Sequence, residues 1–60
     1  MLTTEKIIFL TKWINNWKRT YGEDPTLEEC ITCLEWKFKD SSISQKEKES
    51  ILEVISHNKF

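Results

Sequence analysis

The chain has 60 residues, 38% hydrophobic and 32% charged, with 9 basic and 10 acidic side chains giving a formal net charge of -1. A chain this short forms one domain and buries only about 60% of its unfolded surface, which leaves little room for a catalytic cleft. The mixed signs create no field to draw it to nucleic acid or to an anionic membrane, so the balance favours an electrically neutral partner surface.

Below roughly 70 to 80 residues a core rarely supplies more than about 3 to 5 kcal/mol, and such chains lean on disulfides, a metal or self-association. Two cysteines are too few for a disulfide scaffold. A homodimer is therefore the expected support. The apolar run Ile7-Ile8-Phe9-Leu10 is much shorter than a signal h-region or a membrane span, so a cytoplasmic location with free thiols is expected. The absence of alanine and the eight Lys against a single Arg19 suit an AT-rich coding sequence, such as that of a low-GC bacterium or its phages.

The elements read as three helices with short connections, an all-α fold over residues 1–60. Thr3 or Thr4 caps the first helix, Glu5 suits its positive end, Lys18 and Arg19 suit its negative end, and Gly22 stops it, giving residues 4–21. Asp24-Pro25 opens the second over 25–39, with Thr26 and Glu29 as an alternative capping box. Ser41-Ser42-Ile43-Ser44 breaks the pattern, and Ser44 with Glu47 opens the third helix over 44–57, ending near His57 and Asn58. No segment sustains the alternation of a strand.

At roughly 100° per residue, Ile7, Leu10, Ile14, Trp17 and Tyr21 form the apolar stripe of the first helix, with Phe9 and Trp13 on its flank. Leu27, Ile31, Leu34 and Phe38, with Cys30 beside them, form that of the second. Ile51, Leu52, Val54 and Ile55 form the third. Two large apolar residues fall off these stripes: Ile8 among Lys12, Asn15 and Arg19, and Trp36 among Glu29, Thr32 and Lys39. Both are expected to be exposed in a monomer. Tryptophan is enriched where a ring fills a desolvated pocket on a partner, so Trp36 is the first candidate contact residue, followed by Trp13 and Ile8.

The Cys30-Ile31-Thr32-Cys33 spacing invites a metal or redox reading. A structural zinc needs four ligands; the chain offers Cys30, Cys33 and His57, with Glu29 as a conceivable fourth. A redox pair wants its first cysteine at a helix N-terminus after a strand, whereas this pair lies mid-helix. The cysteines are expected to be core residues, with Cys33 at the margin, and His57 to sit at a helix C-terminus as a favourable cation. No nucleophile–base set, phosphate-binding glycine loop or catalytic carboxylate pair is present, so no catalytic residue, metal or cofactor is assigned.

The expected function is a small protein-interaction module, a regulator or inhibitor that binds a larger protein through an aromatic helix face. A helix-turn-helix DNA-binding protein is the alternative, with the third helix in the major groove. Its cations Lys46 and Lys48 are offset by Glu47, Glu49 and Glu53, which argues against it. A self-associating structural module is a further alternative.

Overall fold

A computed structural model describes residues 2–40 and 42–57. Ser41 and Asn58, both invoked above at helix boundaries, lie outside the described residues. Three helices follow one another: α1 Thr4–Tyr21, α2 Leu27–Phe38 and α3 Gln45–His57. Among the described residues there is no strand.

Each start is set by a side chain that satisfies backbone donors orphaned at a helix N-terminus. Thr3 caps α1, its Oγ1 accepting from the Lys6 N–H at 3.2 Å. For α2 the capping box prevails over Asp24-Pro25: the Glu29 N–H donates to Thr26 Oγ1 at 3.2 Å, and the Thr26 N–H donates to Glu29 Oε1 at 2.8 Å. The helix therefore begins at Leu27 rather than at position 25. Two reciprocal bonds outweigh one cap, and Asp24 is drawn instead to Lys18, 2.9 Å away. Ser44 and Glu47 make the same box before α3, with bonds of 3.2 and 3.1 Å, which leaves Ser44 as cap and Gln45 as the first helical residue.

The ends are equally specific. Gly22 takes φ 73°, the left-handed region where a side chain would be strained, and its N–H reaches Lys18 O at 2.8 Å. Lys39 closes α2 in the same region, at φ 53°.

Each helix packs on both others, and the α1–α2 seam is the thinnest of the three. The core is small and aliphatic: Leu10 and Ile14 from α1, Cys30 and Leu34 from α2, Ile51 from α3, and Leu2 from the segment before α1. Leu2 and Ile43, which a stripe analysis of helices passes over, both pack here. Four stripe residues do not belong to the core: Tyr21 is 62% exposed, Ile7 and Leu52 are also exposed, and Trp17 is half-buried but does not pack against the core cluster. Tyr21 lies in the last turn of α1, at the open end of the bundle. The Cα radius of gyration, 10.6 Å, matches the roughly 10 Å expected of a compact chain of this length.

One end of the bundle is tied by charge. Lys6 Nζ lies 3.1 Å from Asp40 Oδ2 and 3.9 Å from Glu47 Oε2, joining α1 to the α2–α3 connection and to the first turn of α3. Asp40 in turn accepts from the Ser42 N–H at 3.0 Å and from its hydroxyl at 3.2 Å. Both carboxyls lie below their ordinary values, chiefly because a backbone N–H donates to each, from Ser42 to Asp40 and from Ser44 to Glu47.

Candidate functional site

Trp13 and Trp36, nominated from separate helices, line one groove. Phe9, Trp13 and Trp17 recur every fourth residue and so stand above one another on α1, while Glu29, Thr32, Cys33 and Trp36 do the same on α2. Because the two helices meet along a thin seam, these rows are left facing each other across an open groove of about 680 Å³, whose lining is almost wholly apolar. Its charged residues are Glu28 and Glu29, both in the first turn of α2.

The α1 wall is a run of aromatic contacts. Phe9 meets Phe38 edge to face, with centroids 5.7 Å apart and planes at 88°. Trp13 and Trp17 are 5.3 Å apart, and Trp17 and Tyr21 are 4.4 Å apart. Such pairs add about 0.5 to 1.5 kcal/mol to the burial term, so the wall is stiff before anything binds. Lys37 Nζ lies over the Phe9 ring at 5.6 Å, a cation at the opposite end of the groove from the two glutamates. Trp17 holds its Nε1–H buried with no acceptor among the described residues.

Among the described residues Trp36 is the most exposed of the large hydrophobic side chains, at 78%. No part of α3 covers it. Ile8, the third nominated residue, is 52% exposed but lies about 140° around α1 from Trp13, on the solvent side and outside the groove. Helical phase alone could have separated Ile8 from Trp13. It also sets Phe9 and Trp17 in one row with Trp13, but it could not have shown that this row faces α2 across an open groove, because Phe9 and Trp13 also pack against the core.

The cysteines do not form a reactive centre. Cys30 is fully buried, and its thiol is pushed up to about 12, first by burial and then by the neighbouring Cys33 and Glu29. Cys33 is half-buried in the groove and its thiol is also raised by burial. Both remain protonated and poorly nucleophilic at neutral pH. His57 lies elsewhere, beside Ile7 and Thr11 on the α1–α3 side. Among the described residues no group of three or more His, Cys, Asp or Glu could hold a metal ion. Nor is any helix among them long and apolar enough to cross a membrane.

The α2–α3 connection spans residues 39–44, longer than the three- to four-residue turn of a helix-turn-helix. Comparison with protein-family models, with curated proteins and with solved structures returns no match. The functional reading therefore rests on the groove itself.

Proposed function

We propose that this chain is a small interaction protein, a regulator or inhibitor, that occupies a surface of a larger protein through the α1–α2 groove. Trp36 is the principal anchor and Trp13 lies beside it in the groove wall. The observation that carries the reading is the convergence of Phe9, Trp13, Trp17 and Trp36 on one open apolar surface, in a chain whose core is built from other residues. Monomeric proteins seldom leave such a surface uncovered without a use for it.

The energetics fit. A tryptophan buries roughly 150 to 250 Å², so removing the exposed part of Trp36 from water is worth about 4 kcal/mol before the costs of association are subtracted. That is the scale of an interface hot spot. Free, unreactive thiols suit a cytoplasmic protein, and the mixed surface charge suits a protein partner better than a polyanion.

The test is affinity capture from the native host with the wild-type chain and Trp36→Ala side by side, followed by mass spectrometry. A partner retained by the wild type and lost with Trp36→Ala is expected, with affinity reduced at least about thirtyfold, or roughly 2 kcal/mol. Equal capture by both chains would remove the groove from the proposal.

A further inference from the structure

We infer that the groove takes a helix of the partner that presents an arginine to its acidic end, about two turns from the apolar residue that meets Trp36. The inference rests on the reading of the groove as a protein-binding surface and adds the chemistry of what fills it.

The two ends of the groove differ. Phe9 meets Phe38, so the start of α1 lies beside the end of α2. At about 1.5 Å per residue, Trp17 stands about 12 Å further along α1 and Glu29 about 13.5 Å back along α2, so these two share the opposite end. There Trp17 faces Glu28 and Glu29, the charged residues of the lining. Trp36 lies about 10.5 Å from Glu29 along α2, towards the end where Lys37 Nζ stands over the Phe9 ring.

The acidic end lacks a counter-charge. Over the whole chain the charges nearly cancel, but residues 18–29 hold Glu23, Asp24, Glu28 and Glu29 against Lys18 and Arg19. Lys18 is 2.9 Å from Asp24, and Arg19 lies about 200° around α1 from Trp17, away from the groove. Neither Glu28 nor Glu29 makes an ion pair among the described residues. The N-terminus of α2 offsets roughly half a charge, less than two carboxylates bring. A cation from the partner completes this end.

Arginine suits it better than lysine. Its planar guanidinium stacks on indole rings, reaches two carboxylates through separate N–H donors and is more weakly hydrated than an ammonium, so it leaves water for an apolar lining more readily. Trp13 and Trp17, 5.3 Å apart, supply the rings.

The walls select a helix. Both are helices whose backbone groups are bonded within themselves, so an extended segment would find no main-chain partners along the groove, whereas a helix satisfies its own. The row from Phe9 to Trp17 and the row from Glu29 to Trp36 each run about two turns, the length over which positions i, i+3, i+4 and i+7 of a docked helix make contact.

Titration of the full chain with tryptophan-free synthetic peptides, followed by its tryptophan fluorescence, tests the inference. The parent peptide is an alanine-rich helix of about 18 residues with leucines along one face and an arginine about two turns from the central leucine, made with the arginine before or after the leucines. Companion peptides carry citrulline, lysine or glutamate in its place. The arginine peptide is expected to bind saturably, citrulline to weaken binding about three- to tenfold, glutamate to weaken it tenfold or more, and lysine to fall between arginine and citrulline. The double variant Glu28→Gln, Glu29→Gln keeps a capping box, since glutamine serves at that position, and circular dichroism should confirm its helices. It should bind the arginine and citrulline peptides alike.

The absence of saturable binding of the arginine peptide up to about 1 mM would overturn the inference. So would a double variant that still preferred arginine, and lysine binding as tightly as arginine would overturn the choice of a guanidinium. Equal binding of all four peptides, lost with Trp36→Ala, would leave the proposed function standing and this inference refuted. Binding of the arginine peptide undiminished by Trp36→Ala would remove the groove from both.

Discussion

The side of the bundle where the three helices meet and the side where α1 faces α2 alone are built from different residues. The first buries Leu10, Ile14, Cys30, Leu34 and Ile51, all of modest size and none aromatic. The second displays Phe9, Trp13, Trp17 and Trp36, which include all three tryptophans of the chain. Close packing of three helices needs side chains that interdigitate in the space between them, and here aliphatic side chains and Cys30 fill that space while Phe9 and Trp13 pack against it from outside. The largest apolar groups lie at the seam. Size thus separates stability from recognition in this molecule, and substitutions on the two sides should differ in kind.

The largest effect is expected in the core. Leu10→Ala should cost about 2 to 5 kcal/mol, which is comparable to the whole stability expected of such a domain, so the helical circular-dichroism signal should be largely lost at room temperature. A variant that still melted cooperatively close to the wild-type temperature would show that the core does not hold the helices together.

The cysteines sharpen the boundary between the two sides. Cys30 is fully enclosed, and serine there would carry a hydroxyl into an apolar site at a cost of about 1 to 3 kcal/mol. Cys33 stands at the groove, and Cys33→Ser should cost less, no more than about 1 to 2 kcal/mol by urea unfolding. A strong chelator should leave the helical signal of the wild type unchanged. Equal penalties at the two positions would mean that the groove wall is as closed as the core.

A smaller effect belongs to the tied end of the bundle. Asp40 and Glu47 are held below their ordinary values of 3.8 and 4.5, so the unfolded chain binds protons that the folded chain does not. Their contribution to stability is present in full above those ordinary values and is lost as pH falls through the lowered, folded ones. The melting temperature should decline on acidification below about pH 5, and less steeply in the double variant Asp40→Asn, Glu47→Gln. A melting temperature that rose in acid would reverse the sign of this account.

The smallest expected stability effect is at Trp36. Trp36→Ala removes a side chain that is mostly in water, so the melting curve of the dilute monomer should change by no more than about 0.5 kcal/mol. If the chain unfolded instead, the ring would belong to the core and the contrast between the two sides would collapse.

Local chemistry determined the elements. The capping boxes at Thr26 and Ser44, the glycine at position 22 and the helical repeat of Leu10, Ile14, Leu34 and Ile51 act over three to seven residues, so three helices and the centre of their core could be read from sequence. The choice between Asp24 and Thr26 for the start of α2 could not, because sequence offers both caps and the pairing of Asp24 with Lys18 appears only in the structure. Lys6 is a similar case: its partners Asp40 and Glu47 are distant in the chain, and nothing in their sequence positions announces the pairing. The exposure of Trp36 followed from helical phase. The separation of Ile8 from Trp13 was likewise a matter of phase, but the placement of Trp36 in one groove with Trp13 followed only from how α1 and α2 are set against each other. Phase fixes the direction of a side chain about its own helix axis, whereas a groove is made by two axes, and their separation is decided by the packing of all three helices at once.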